Sequence, residues 1–107
     1  MLDLTQIVKK YYEIRLLDET VLKLKRPSQA MVEFLISIKN LIEKKEEEQV
    51  VASFAELFAL ILSNNTDGYQ YEAEDLAAEY DFSTISYVIE DYFKYWNEEV
   101  ADEVDFQ

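Results

Sequence analysis

Apolar residues are spaced in two different ways along this chain. Tyr11-Tyr12-Glu13-Ile14-Arg15-Leu16-Leu17 and Thr20-Val21-Leu22-Lys23-Leu24-Lys25 partly alternate with period two, which predicts two short strands. Asp18-Glu19 between them predicts a tight turn, so residues 11–25 are expected to form a β-hairpin. Leu4 to Lys10 fits either a short helix or an extended lead-in. Pro27-Ser28 then punctuates the chain, with Ser28 suited to cap a helix. Met31, Phe34, Leu35, Ile38, Leu41 and Ile42 follow at spacings of three and four, which predicts a helix over about 28–45.

A second helix is expected over about 47–62. Val50, Val51, Phe54, Leu57, Phe58, Ile61 and Leu62 wrap almost all round it, as in a central helix covered from several sides. Ser63-Asn64-Asn65-Thr66-Asp67-Gly68 has the residues of a loop. A short helix follows over about 73–80. A last one spans about 83–100, with Ile85, Val88, Ile89, Tyr92, Phe93, Tyr95, Trp96 and Val100 on one broad face. Trp96 is therefore expected in the core, while Tyr87 falls on the polar side. Residues 101–107 read as an acidic, frayed tail. The expected fold is mainly α (α+β): an N-terminal hairpin followed by about four helices in one domain spanning 1–107.

Composition narrows the chemistry. With neither histidine nor cysteine in 107 residues, no Ser-His or Cys-His nucleophile, Glu-x-x-His di-iron site or thiolate zinc site can be built. No glycine-rich phosphate loop is present either, so a non-enzymatic protein without a cofactor is expected. Nothing resembles a signal peptide, and Val50 to Leu62 is too short to span a bilayer, so a cytoplasmic protein without a membrane partner is expected. The net charge of −13 is unevenly spread. Residues 1–45 hold nine Lys/Arg against six acids, a net +3; residues 46–107 hold only Lys94 against seventeen acids, a net −16. Such a balance argues against nucleic acid as partner, because phosphate contacts need Lys and Arg.

Two constellations remain. Counting Ser63 as the first position of a calcium loop places Asn65 third, Asp67 fifth, Gly68 sixth, the Tyr69 carbonyl seventh and Glu74 twelfth. Ser63 in place of Asp and Gln70 in place of an aliphatic residue depart from that pattern. No metal is expected, and a calcium-binding helical module using Ser63–Glu74 is the alternative. An acidic inhibitor or nucleic-acid mimic is a further one. The second constellation is apolar and aromatic surface beyond what the core needs. Val32 and Ile36 lie off the main stripe of the first helix, and Val51, Phe58 and Leu62 belong to the over-apolar second helix. Tyr69, Tyr71 and Tyr87 fall outside the apolar stripes. These eight are the candidate partner-binding residues, serving a helical client in an apolar groove or self-association into a homo-oligomer.

The order of elements, with Leu22-Lys23-Leu24-Lys25-Arg26-Pro27-Ser28, the helix end Ile61-Leu62-Ser63-Asn64-Asn65 and the run Asp91-Tyr92-Phe93, resembles the short tail assembly chaperones of long-tailed phages and prophages of Gram-positive bacteria. The resemblance covers about residues 2–99. It implies a non-catalytic protein of the host cytoplasm, absent from the mature virion. Such a protein would coat the hydrophobic tape measure protein, keep it soluble and help recruit tail tube subunits. Its partners would be those two proteins.

Overall fold

The first two strands pair as the alternation predicts. In the computed structural model, which describes residues 11–104 and the side chains of 11–97, β1 (Tyr12–Arg15) runs antiparallel to β2 (Val21–Leu24). Tyr12 stands opposite Leu24 and Arg15 opposite Val21. Leu22 and Leu24 point inward and are fully buried, while Val21 and Lys23 face outward. The turn is one residue longer than expected. The Glu19 N–H donates to the Leu16 carbonyl and the Leu16 N–H to the Thr20 carbonyl, so Leu17-Asp18-Glu19 forms a three-residue loop. The physical reason is the lack of glycine. A two-residue type I′ turn needs positive φ at both central residues, whereas this loop needs it only at Glu19, where φ is 72°. The Asp18 carboxylate accepts from the Thr20 N–H and steadies the loop.

Helix α1 (Gln29–Glu43) starts at Ser28, whose hydroxyl accepts from the Met31 N–H, as capping chemistry requires. It ends in a Schellman arrangement. The Glu46 N–H reaches the Leu41 carbonyl and the Lys45 N–H the Ile42 carbonyl, with Lys45 in the left-handed region at φ 59°. That sharp reversal starts α2 (Glu47–Ser63), which packs against α1, against α3 (Ala73–Glu79), against α4 (Phe82–Val104) and against β2. The central position expected of the second helix is therefore the observed one. Val50, Phe54, Leu57, Phe58, Ile61 and Leu62 are all buried in its packing.

Helix α4 begins at Asp81, whose carboxylate accepts from the Thr84 N–H. Ile85, Ile89, Tyr92, Phe93 and Trp96 form its buried face, and Trp96 is only 2% exposed. The helix continues to Val104, so part of the expected frayed tail is helical backbone. No Gly or Pro interrupts that stretch. The alternatives for Leu4 to Lys10, and the last three residues, lie outside the described residues. Tyr12 joins hairpin to helix. Its ring meets Tyr92 at 5.5 Å and Tyr95 at 5.4 Å, both edge-on, and its hydroxyl donates to the Asp91 carboxylate. The Tyr92 hydroxyl donates to the Lys25 carbonyl, and Arg26 lies 5.1 Å from the Trp96 ring centre. Burial and then the hydrogen bond to Asp91 push the Tyr12 phenol well above its ordinary pKa; burial does the same to Tyr92.

Candidate functional site: an apolar groove over the central helix

Helices α1 and α4 flank α2 on either side without closing over it. Between them runs a groove of about 500 Å³, walled by Leu35 and Lys39 of α1 and by Ile89, Glu90, Phe93, Lys94 and Asn97 of α4. Phe54 of α2 forms its floor. The Phe54 ring meets Phe82 edge-on at 5.3 Å, and Phe82 opens a second cleft of about 380 Å³. Ile42, Lys45, Glu46, Glu47, Val50 and Val51 line that cleft at the corner where α1 turns into α2. The two recesses share the Phe54–Phe82 contact. Together they make an apolar track with charged residues along its rim. Lys94, the one cation of residues 46–107, stands on this rim with Lys39.

Of the residues expected to bind a partner, one lines this region. Val51, half exposed, lines the second cleft. Ile36, also half exposed, and Val32, partly buried and packed against the core, lie on α1 but line neither recess. Phe58 and Leu62 require correction: both are fully buried. Helix α3 supplies the missing cover, with Tyr80 directly after it placing its ring edge-on to Phe58 at 5.4 Å. Apolar surface midway along α2 is thus covered by the α3 segment. Tyr69 is exposed and Tyr71 partly buried, and both sit beside Asp18 and Thr20 at the hairpin turn, away from the groove. Burial first, then the charge of Asp18, pushes the Tyr71 phenol upward. Tyr87 is 71% exposed on α4, one turn from Asp91.

Leu35 and Ile42 are groove residues that the spacing placed in the core stripe of the first helix, and Phe82 is one that it did not single out. Position within the element was the available signal: Ile42 sits in the last turn of α1 and Phe82 in the first of α4. At helix ends an inward-facing side chain outruns its neighbours' cover.

The loop of the calcium alternative is organised around its own side chains. Asn65, 4% exposed, donates to the Leu62 and Tyr69 carbonyls at 2.7 and 2.9 Å and accepts from the Asp67 and Tyr69 N–H groups at 2.9 and 3.1 Å. The Ser63 hydroxyl accepts from the Tyr71 N–H at 2.9 Å. Three of the proposed calcium ligands, Ser63, Asn65 and the Tyr69 carbonyl, are therefore already committed to the protein. Among the described residues, no group of three or more acidic side chains is gathered as a metal would need. No described helix is long and apolar enough to cross a membrane.

No family model matches this chain, and neither does a curated protein or a solved structure.

Proposed function

We propose that this protein is a tail assembly chaperone, a non-catalytic cytoplasmic binder that shelters a long apolar protein client until assembly. The observation that carries the reading is the open track between α1 and α4, floored by Phe54 and continued by Phe82, Ile42 and Val51. An amphipathic helix of a tape measure protein is the client this shape suits, because its i, i+3, i+4 and i+7 side chains would lie along the track. Each large apolar side chain taken out of water there contributes roughly 1.5–3 kcal/mol. The surplus of acidic residues keeps loaded complexes apart.

Co-expression with a tape measure protein tests the reading. Soluble co-purification that survives moderate salt is expected, since apolar burial is insensitive to screening. Ile42→Asp and Val51→Asp change half-exposed positions and leave the core intact, so the doubly substituted chain should fold yet lose its client. Tyr69→Ala, away from the groove, should retain it. A folded double variant that keeps the client would place binding elsewhere and remove the support for the proposal.

A further inference from the structure

The two edges of the hairpin are treated differently. The outer edge of β2 is covered by the loop after α2: the Lys25 N–H donates to the Asn64 carbonyl and the Thr66 N–H to the Lys23 carbonyl, with Leu24 bridging Asn65. Among the described residues no strand pairs with the outer edge of β1, although at its ends the Tyr11 carbonyl accepts from the Tyr95 hydroxyl and the Leu17 N–H donates to the Tyr80 hydroxyl. The alternation of the ladder fixes which groups that edge presents. Because the Leu16 N–H points across to Thr20, Ile14 and Tyr12 also direct their backbone groups toward β2. Glu13 and Arg15 direct theirs outward. Their side chains are both exposed, on the face of the sheet away from the core.

An unpaired edge is a template for another strand, and proteins usually blunt it. Here the residues make it self-complementary. If a second β1 adds antiparallel about Ile14, Ile14 faces the partner's Ile14 and Tyr12 faces the partner's Leu16 on the inner side. On the outer side Glu13 faces the partner's Arg15, and Arg15 faces the partner's Glu13. This register makes Glu13 and Arg15 the hydrogen-bonded positions of the new ladder, which are the ones whose backbone groups already point outward. At each end the new ladder stops short of Tyr11 and the partner's Leu17, because the Tyr11 carbonyl and the Leu17 N–H are already bonded to the Tyr95 and Tyr80 hydroxyls. A slip by two residues in either direction sets Glu13 against the partner's Glu13, or Arg15 against the partner's Arg15, so one register is selected. Lys23, opposite Glu13 within the hairpin, completes a row of alternating charge.

We propose that β1 is a homodimerisation edge, pairing about Ile14 with the same strand of a second copy to form a four-stranded antiparallel sheet. The two-fold symmetry makes every contact occur twice. A contact this short gives a concentration-dependent dimer rather than a permanent one. The inference does not depend on what the groove binds, because Glu13 and Arg15 do not line it.

Sedimentation equilibrium over a concentration series, with circular dichroism to confirm folding, tests the pairing. Wild type is expected to dimerise. Arg15→Glu alone and Glu13→Arg alone each turn two attractive pairs into two repulsive ones, and should weaken self-association about tenfold or more. An equimolar mixture of those two variants restores opposite charges at both positions and should form a heterodimer at about the wild-type concentration. Glu13→Pro removes an outward N–H while sparing the β1–β2 ladder, and should also give a monomer. A wild-type chain that stays monomeric throughout, a single swap that leaves the dimer intact, or a mixture that fails to associate overturns the proposal.

Discussion

Asn65 is where a single side chain holds the most backbone. It bridges the end of α2 to the loop that covers β2, using both amide hydrogens and accepting twice at the carbonyl oxygen. The amide orientation follows from these partners, since a flip would set oxygen against two carbonyls. Asn65→Ala deletes four hydrogen bonds worth about 0.5–1.5 kcal/mol each. Residues 66–70 are exposed, so water re-satisfies some of the freed groups and the expected loss is about 2–4 kcal/mol. In a chain of this size that lowers Tm by roughly 10–20 °C. Asn65→Asp is the sharper probe, because it keeps the shape and both accepted bonds while placing a carboxylate oxygen against the Leu62 and Tyr69 carbonyls. Burial and those carbonyls disfavour the ionised form, so the new carboxyl has a folded pKa above its unfolded value of about 3.9. A raised folded pKa gives stability that is present below the unfolded pKa and lost as pH rises through the folded one. Relative to wild type, the Asp variant should therefore be weak at neutral pH and recover toward pH 4. Urea unfolding across pH measures both effects. An Ala variant within about 0.5 kcal/mol of wild type would show that water carries this loop as well as Asn65 does.

Three further expectations follow from packing and backbone geometry. Trp96→Ala empties a nearly fully buried site among Tyr92, Tyr95 and Arg26 and should cost about 3–5 kcal/mol in chemical denaturation; an unchanged midpoint would refute its place in the core. Lys45→Gly relieves a left-handed residue at the Schellman reversal and should raise stability by up to about 1 kcal/mol, whereas a neutral or destabilised variant would contradict the φ of 59°. Hydrogen bonds from Thr84 hold the Asp81 carboxyl below its ordinary range, so its contribution is present above the unfolded pKa and lost as pH falls through the folded one; Asp81→Asn should flatten that part of the acid unfolding profile.

What could be read in the sequence was whatever depends on local periodicity. The hairpin and the first three helices came out within two residues of their observed bounds, because alternation, the Ser28 cap and three-to-four spacing are local signals. Where two residue choices compete, the local signal failed. Asp18-Glu19 resembles a two-residue turn, but with no residue suited to two consecutive positive φ values the chain takes Leu17 into the loop and shifts the register by one. Likewise, acidity from 101 onward reads as a frayed tail, while continuous helix-compatible residues without a breaker carry α4 to Val104.

Exposure is harder to read than periodicity because it depends on where neighbours end. Phe58 and Ile42 both lie on the inward face of their helices. Phe58, midway along α2, meets the Tyr80 ring from the segment joining α3 to α4 and loses all contact with water. Ile42, one residue from the end of α1, has the chain reversing beside it through Lys45 and Glu46, and half of it stays exposed. An apolar count over α2 singles out Val51, Phe58 and Leu62 alike, yet only Val51, near the start of the helix, is exposed. The surplus emerges at the corner, where α1 stops, α2 starts and Phe82 opens α4. A groove of this sort is therefore built by element lengths more than by element faces. Extending α1 by one turn past Ile42 would remove the Lys45 reversal that shapes the second cleft, even with every apolar residue unchanged.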